Sequence, residues 1–280
     1  MVDQALGLIA GNGIYPRLAA AAARKAGVKK IVAAAFTRET DPIIETLADH
    51  TAWMRVGQLG RMLKYFSDQG VTKAMMVGQI APKNLFELQP DFRSLLVMAK
   101  LKRRNAETIF GAIADELAKQ GVELLPAYQY LEDSLASPGL ICGPRPKKAQ
   151  LEDFQFGYEI GKEVSRLDIG QTVVVRHGTV VAVEAFEGSN EALKRGGRLA
   201  RGQGILVKVS KPKQDMRFDI PVIGTQTIEA ALDASVRWIG LEAGATLLLD
   251  KPAVVAASER AHICIYGVGP LTAAKKSRHD

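Results

Sequence analysis

Near its start the chain carries a continuous apolar run that ends in a glycine turn. The run is Ala5–Ala10, Gly11-Asn12-Gly13 follows it directly, and Pro16 stands three residues further on. An uninterrupted apolar run of this length is typical of a strand buried in a parallel sheet, and proline favours the first turn of a helix. The pattern therefore predicts a strand, a tight turn and a helix, which is the opening unit of a doubly wound α/β sheet.

The same alternation of short apolar runs and helical patterns continues through the first half of the chain. Helical patterns end at Gly27 and Gly121, and further strands are predicted at Ile31–Phe36, Ala74–Gly78 and Val122–Pro126. Strand, helix and strand in this order favour parallel pairing. We therefore expect an N-terminal Rossmann-like domain with a parallel sheet.

The composition changes between residues 134 and 150, where three prolines and two glycines gather. This stretch is predicted to be a linker. Beyond it β-branched runs become frequent, and Thr172–Arg176 and Thr179–Ala185 flank His177-Gly178 as in a hairpin. The sequence thus predicts an α/β protein with a Rossmann-like domain at 1–133, a linker at 134–150 and a second, mixed α/β catalytic domain at 151–280.

Charge and composition narrow the classes of function. The 37 basic residues exceed the 30 acidic ones and give a net charge of +7, which favours an anionic partner. Aromatic residues make up only 6% and do not alternate with basic ones, which argues against a nucleic-acid partner.

Charged residues interrupt every candidate membrane span, and no basic stretch precedes the first apolar run, so we expect a cytoplasmic protein without a signal peptide. A non-catalytic binder of anionic lipid or nucleic acid is one alternative function.

The glycine turn is an incomplete dinucleotide fingerprint. Pro16 stands where the third glycine of that fingerprint would be, and Phe36-Thr37-Arg38 offers no acid for a ribose at the end of the second strand. The turn is either a ligand loop, since helix N-termini bind anions, or a tight connection alone. A nucleotide-dependent oxidoreductase is therefore a second alternative.

A charged stretch in the second half points to phosphate chemistry. Between Lys208 and Asp219 three lysines, one arginine and two aspartates fall within twelve positions. Such cations can bind phosphates, and the carboxylates can hold Mg²⁺ together with phosphate oxygens. Glu184 and Glu187 are further candidates for a metal or a sugar hydroxyl. Both stretches can also be read as surface segments, with paired ions in the first and a helix start in the second.

Taken together, these motifs resemble the LpxI-type UDP-2,3-diacylglucosamine pyrophosphatases of lipid A biosynthesis. The resemblance covers nearly the whole chain and is most specific in the stretch from Lys208 to Gly224. It also rests on shorter motifs, which are 6–13 with Pro16, 78–80, 131–134, 167–171 and 182–188.

The resemblance implies an Mg²⁺-dependent hydrolase that cleaves UDP-2,3-diacylglucosamine into UMP and 2,3-diacylglucosamine 1-phosphate (lipid X). Water is expected to attack the phosphorus nearer the sugar, with the substrate between two domains. The lipid substrate implies peripheral contact with the inner leaflet of the inner membrane, to which the basic tail at 275–278 is expected to contribute. A homodimer is left open.

The resemblance also implies roles for particular residues. The catalytic candidates are Asp219, Asp215, Lys211 and Arg217, and the metal ligands are Asp219, Asp215 and Glu184. The substrate-binding candidates are Gly11, Asn12, Gly13, Gln79, Asp168, Gln171, Glu187 and Lys208. Asn105-Ala106-Glu107 replaces a pair of aspartates found in many relatives, so no metal role is assigned there.

Overall fold

The computed structural model describes residues 5–80, 90–102 and 105–270. The described chain divides into two compact units. The first contains the residues up to Glu132 together with Asp215–Asp219, and the second contains Asp133–Gln214 and the residues from Ile220 onward. The segment Asp215–Asp219 therefore belongs to the first unit although its neighbours in sequence belong to the second.

The first unit is built on a five-stranded sheet in the order β3-β2-β1-β4-β5, in which every neighbouring pair is parallel. Its strands are β1 (Ala5–Ala10), β2 (Ile31–Phe36), β3 (His50–Met54), β4 (Val71–Val77) and β5 (Glu123–Leu124). Its helices are α1 (Tyr15–Lys25), α2 (Leu59–Asp68), α3 (Phe92–Lys100) and α4 (Ala106–Lys119). The predicted parallel sheet is confirmed, and the predicted bounds of β1 and β2 match the observed ones.

Burial explains why the sequence of the central strands is so uniformly apolar. All six residues of β1 and the first five of β2 are buried. The core on this sheet includes fully buried Phe66 of α2 and Leu117 of α4. Small alanines in β2 leave room for helices to pack closely against the sheet.

The second unit contains a six-stranded mixed sheet in the order β6-β13-β11-β9-β7-β8 and a two-stranded parallel sheet of β10 and β12. The strands are β6 (Gly139–Cys142), β7 (Thr172–Arg176), β8 (Thr179–Val183), β9 (Ile205–Lys208), β10 (Val222–Ile223), β11 (Trp238–Glu242), β12 (Leu247–Leu248) and β13 (Cys264–Val268). The helices are α5 (Lys148–Arg166), α6 (Ser189–Leu199), α7 (Thr225–Asp233) and α8 (Lys251–Arg260). The predicted mixed α/β character of this part of the chain is confirmed.

Several elements differ from the sequence expectation. The stretch 134–150, predicted as a linker, contains β6, which pairs with β13 in the second unit, and the start of α5. β3, α2, α3 and β11 were not predicted at all. β11 was missed because Gly240 interrupts its apolar pattern. A Cβ at this position would lie 2.8 Å from the ring of Phe154.

None of the helices in the described ranges combines the length and the apolar composition that crossing a bilayer requires.

Candidate active site

The glycine turn of the first unit is locked to the loop that follows β4. The backbone N–H of Asn12 donates to the carbonyl of Gln79 at 2.6 Å, and the N–H of Gln79 donates back to the carbonyl of Asn12 at 3.2 Å. A Cβ on Gly11 would lie 2.6 Å from the Gln79 carbonyl oxygen, so only glycine fits. Three predicted substrate-binding residues, Gly11, Asn12 and Gln79, are therefore brought together by main-chain contacts.

The position of this turn in the sheet is that of a ligand site. The strand order reverses between β1 and β4, and both loops leave the carboxyl ends of these strands. Open α/β sheets bind ligands at such a switch point. Asn12, Gly13 and Ile14 are exposed there, and Gly13 has a φ of +88° with open space around it.

Glu39 is a residue of this region that the sequence did not single out. It follows β2, is only 5% exposed, and its carboxylate accepts from the side-chain amide of Asn12 at 3.4 Å. The neighbouring Thr40 hydroxyl donates to the carbonyl of Ala10 at the end of β1. The loop after β2 is thus attached to the glycine turn, and only the contact with Asn12 distinguishes Glu39 from an ordinary loop acid.

Asp215–Asp219 forms a bonded turn in the first unit. The backbone N–H groups of Phe218 and Asp219 donate to the Asp215 carbonyl at 3.2 and 2.9 Å. The Phe218 ring lies 6.0 Å from that of Phe110 and packs against the core of the unit. The Met216 carbonyl accepts from the N–H of Ala127 at 2.8 Å. The turn is therefore fixed by both its backbone and an aromatic side chain.

A second hydrogen bond holds Ala127 through its carbonyl group. The buried hydroxyl of Tyr15, in the first turn of α1, donates to the Ala127 carbonyl at 2.7 Å. Burial raises the pKa of Tyr15, so this hydroxyl stays a donor. Tyr15 is thereby connected to the motif turn through one residue, Ala127, which bonds Met216 by its N–H and Tyr15 by its carbonyl.

Within the turn, Asp215 and Arg217 form a bidentate ion pair. The guanidinium Nε lies 2.9 Å from Oδ1 of Asp215, and Nη2 lies 2.7 Å from Oδ2. The hydrogen bonds from Arg217 hold the pKa of Asp215 below its usual range, and the same contact raises the pKa of Arg217. Two parallel bonds of this kind fix the plane of the guanidinium as well as its position.

The second unit holds a polar cluster at one end of three neighbouring strands. Because β7 runs antiparallel to both β8 and β9, the start of β7 lies beside the ends of its neighbours. Lys208 donates to the Ser189 hydroxyl at 3.0 Å, and that hydroxyl donates to Oε1 of Glu184 at 2.8 Å. The backbone N–H of Gln171 reaches Oε2 of Glu184 at 3.3 Å. Three predicted residues, Gln171, Glu184 and Lys208, therefore meet.

Ser189 joins this cluster and was not among the predicted site residues. It is the first residue of α6, and its hydroxyl also contacts the hydroxyl of buried Thr172 at 2.9 Å. No spacing rule would have found it, because its partners come from three other elements.

Glu187 lies three residues beyond Glu184 but makes a different contact. Its carboxylate pairs with Arg195 at 2.5 Å, and the hydrogen bond from Arg195 lowers the pKa of Glu187. Glu184 and Glu187 thus have separate partners.

Lys211 pairs with Asp168, and both were predicted site residues. Lys211 Nζ lies 2.5 Å from Oδ1 of Asp168, which follows the end of α5 in a left-handed conformation with a φ of +57°. The backbone N–H of Lys211 also donates to the side chain of Gln214 at 2.5 Å. The lysine is held at a defined place by its backbone and by its charge.

A half-buried ion network lies directly before Lys211 and was not predicted. Lys162 of α5 lies 3.0 Å from Glu242 at the end of β11 and donates to the Ser210 carbonyl at 2.7 Å. Glu242 accepts from the backbone N–H and the hydroxyl of Ser210 at 2.6 and 2.7 Å. Ser210, the residue before Lys211, is therefore held by hydrogen bonds to its N–H, its carbonyl and its hydroxyl.

The fit of the predicted metal ligands to Mg²⁺ differs between the three acids. No group of three histidine, cysteine or acidic side chains with metal-binding geometry occurs in the described part of the chain. Asp215 receives Arg217 on both carboxylate oxygens, and Glu184 receives Ser189 and Gln171. One carboxylate suffices for Mg²⁺ when phosphate oxygens and waters supply the other ligands. The residue type of Asp219, at the end of the bonded turn, fits Mg²⁺. Its assignment to the metal rests on the sequence motif, because Asp219 also makes an interaction of its own.

Two family models match the chain. The model of the LpxI N-terminal domain matches residues 5–134, and that of the LpxI C-terminal domain matches residues 137–266. A UDP-2,3-diacylglucosamine pyrophosphatase LpxI from Caulobacter vibrioides is 31% identical over 276 residues, which covers 95% of this chain and 98% of the relative.

Two of the solved structures that the chain resembles are distant in sequence. An N5-carboxyaminoimidazole synthetase from Staphylococcus aureus is 11% identical, with a TM-score of 0.26 over 72% of this chain and 46% of that chain. The biotin carboxylase domain of a Hydrogenobacter thermophilus 2-oxoglutarate carboxylase is 14% identical, with a TM-score of 0.23 over 62% of this chain and 35% of that chain. The chain thus spans less than half of either protein, and neither score supports a conclusion about the fold.

Proposed function

The chain belongs to the LpxI family, and from this premise we propose that it hydrolyses the pyrophosphate of UDP-2,3-diacylglucosamine in lipid A biosynthesis. The observation that carries the proposal is the match to the Caulobacter vibrioides pyrophosphatase, which extends over nearly the full length of both chains. The products are UMP and 2,3-diacylglucosamine 1-phosphate.

In the proposed reaction a water oxygen bonds to the phosphorus nearer the sugar. The bond from that phosphorus to the bridging oxygen breaks, and UMP leaves with the bridging oxygen. The proton of the water is released to solvent. Attack by an oxygen nucleophile on a dianionic pyrophosphate is opposed by charge repulsion, so fixed cations are the main requirement.

The contacts of Arg217 support its role as a phosphate-binding cation. Its guanidinium is oriented by Asp215 on one edge, and a guanidinium has donors on its other edges with which to bind phosphate oxygens. Asp215 is then a positioning residue for Arg217 rather than a ligand of the metal. Lys211 is our second cation, placed by Asp168 and by the network around Ser210.

We assign Mg²⁺ to Asp219. When bound, the ion offsets charge on the phosphate oxygens and lowers the pKa of a coordinated water. Asp219 would hold it from the end of the bonded turn. Glu184 keeps the position of Lys208 through Ser189.

The remaining predicted residues are proposed to bind substrate. Gly11, Asn12, Gly13 and Gln79 form the locked turn at the switch point of the parallel sheet. Gln171 and Lys208 belong to the polar cluster of the second unit, and Glu187 is a candidate for a sugar hydroxyl. We further propose that the protein works on the cytoplasmic face of the inner membrane, because its substrate carries two acyl chains.

The function is tested by incubating the purified protein with UDP-2,3-diacylglucosamine and Mg²⁺ and measuring UMP. We expect release of UMP, loss of that release in Asp219→Asn, and normal release in Asp233→Asn, which changes an exposed aspartate of α7. No UMP from the unaltered protein would refute the function, and full turnover by Asp219→Asn would refute the role of Asp219.

The site of attack is tested in ¹⁸O-labelled water. We expect the label in 2,3-diacylglucosamine 1-phosphate; label in UMP would show attack at the other phosphorus.

The division of labour between the two aspartates has its own test. Asp215→Asn should lower turnover about tenfold, in line with the loss of a charge-assisted contact of about 1.5 kcal/mol. It should leave the Mg²⁺ concentration for half-maximal activity unchanged. A large shift in that concentration would instead make Asp215 a metal ligand.

A further inference from the structure

The outward face of α3 is apolar and exposed. Phe92 is 77% exposed, Leu95 is 52% exposed and Leu96 is 45% exposed. At 100° per residue these side chains and Ala99 project within one arc of the helix. Large apolar side chains that are exposed together, rather than singly, mark a surface that binds something apolar.

The opposite face of α3 is firmly attached to the first unit. Asp91 caps the helix by accepting from the N–H of Ser94 at 2.9 Å and also accepts from the N–H of Gly60 at 2.7 Å. Ser94 is buried, and its hydroxyl donates to the carbonyl of Gly57. Arg93 pairs with Glu116 of α4 at 2.6 Å. Within the part of the chain that the structure describes, these contacts attach one side of α3 to the first unit and leave Phe92, Leu95 and Leu96 on the exposed side.

The charge next to this apolar face is positive. No acidic residue occurs from Phe92 to Lys102, whereas Lys100 and Lys102 are both exposed at the end of the helix. An apolar face bordered by lysines is the pattern of helices that lie in the surface of an anionic bilayer.

We propose that the outward face of α3 is the surface by which the protein docks on an anionic membrane. Phe92, Leu95 and Leu96 would enter the boundary of the acyl chains, and Lys100 and Lys102 would contact lipid phosphates. The choice of a bilayer as partner rests on the proposed function, since a substrate with two acyl chains resides in one. The basic tail, expected to contribute, lies outside the described residues.

An exposed phenylalanine in the second unit provides a matched control. Phe186 is fully exposed but stands next to two acids, Glu184 and Glu187. A single apolar side chain beside negative charge should not bind an anionic bilayer.

The test is binding to vesicles without substrate. The protein is mixed with vesicles of phosphatidylglycerol and phosphatidylcholine, or of phosphatidylcholine alone, and the bound fraction is measured by sedimentation. We expect binding to the anionic vesicles, a loss of at least about tenfold in Phe92→Ser/Leu95→Ser, and no loss in Phe186→Ser. Lys100→Glu/Lys102→Glu and high salt should also weaken binding, because the attraction to lipid phosphates is screened.

Several results would overturn the proposal. These are an absence of binding by the unaltered protein, an equal loss in Phe186→Ser, or binding that is independent of lipid charge. A change of mass in light scattering for Phe92→Ser/Leu95→Ser would make the face an interface between two copies. A raised KM for a soluble short-chain substrate with unchanged vesicle binding would make it a site for acyl chains. Circular dichroism establishes that each variant is folded.

Failure of this inference is separable from failure of the proposed function. Vesicle binding needs no turnover, and UMP release from detergent-dispersed substrate needs no vesicle.

Discussion

The candidate residues of the two units are held in place by different means. In the first unit the glycine turn and the motif turn are fixed mainly by backbone groups, through the pair Asn12 and Gln79 and the pair Ala127 and Met216. In the second unit Lys208 and Lys211 are placed by side chains, through Ser189, Asp168 and the network of Glu242. The first arrangement depends on shape and the second on charge, so substitutions should affect them differently.

Removing a charge from the second unit should have the largest effect. Glu242→Gln leaves the half-buried Lys162 without its counter-ion and weakens the bonds from Ser210, so it should lower the free energy of unfolding by about 2–4 kcal/mol. It should also lower turnover, since Ser210 precedes Lys211. Denaturant unfolding measures the first effect and UMP release the second.

The control for Glu242→Gln is a substitution in an exposed ion pair of the first unit. Asp68→Asn breaks the contact with Lys64 on the surface of α2 and should cost less than about 1 kcal/mol. If Glu242→Gln and Asp68→Asn lowered the free energy of unfolding equally, the second unit would not depend more strongly on its ion pairs than the first.

At the glycine turn of the first unit, steric contact rather than charge should determine the effect of a substitution on stability. Gly11→Ala places a Cβ 2.6 Å from a backbone oxygen of Gln79, so the two loops must separate, at a cost of about 2–3 kcal/mol. Gly13→Ala meets nothing within 4 Å and suffers only from its φ of +88°, which costs about 1 kcal/mol. Thermal unfolding of both variants measures the difference. A loss in Gly11→Ala no larger than that in Gly13→Ala would mean that the loop of Gln79 accommodates the extra methyl group.

The sequence predicted the parallel sheet well because its strands are buried on both faces. Such strands are continuous apolar runs, as in β1 and β2, and the run of β1 ends at Gly11. β11 was missed because Trp238–Glu242 contains Gly240, whose role is to leave room for Phe154. Such a role depends on a residue far away in sequence.

The pairs within the candidate site could not be predicted from the sequence. The motif from Lys208 to Asp219 stood out by charge, whereas the partners Ser189, Lys162 and Glu242 come from separate elements and have no common spacing. The bidentate contact of Asp215 with Arg217 is local, yet a spacing of two residues fits a metal site equally well. The structure adds the ion pair, and the Mg²⁺ dependence of Asp215→Asn tests whether this carboxylate also binds a metal.

A smaller effect is expected from the hydroxyl of Tyr15 in the first unit. Tyr15→Phe leaves the buried Ala127 carbonyl without this donor and should cost about 1–2 kcal/mol. Because the N–H of the same residue, Ala127, donates to the Met216 carbonyl in the motif turn, turnover should fall while the KM for substrate stays nearly constant. Tyr65→Phe is the matched control, since among the described residues the buried Tyr65 hydroxyl has no hydrogen-bond partner. Unchanged turnover in Tyr15→Phe would show that the motif turn is fixed without Tyr15.

The smallest effect should be a change in acid stability from the pair of Asp215 and Arg217. The folded-state pKa of Asp215 lies below its ordinary value of 3.8 because of the hydrogen bonds from Arg217. The pair therefore contributes stability above that ordinary value, and the contribution is lost as pH falls through the lower folded-state pKa. Asp215→Asn should flatten this part of the stability curve, measured by denaturant unfolding between about pH 2 and 5. The flattening should disappear when Asp215→Asn is made on an Arg217→Gln background. If it persists there, the depressed pKa has a source other than Arg217, and the orienting role of Asp215 loses its support.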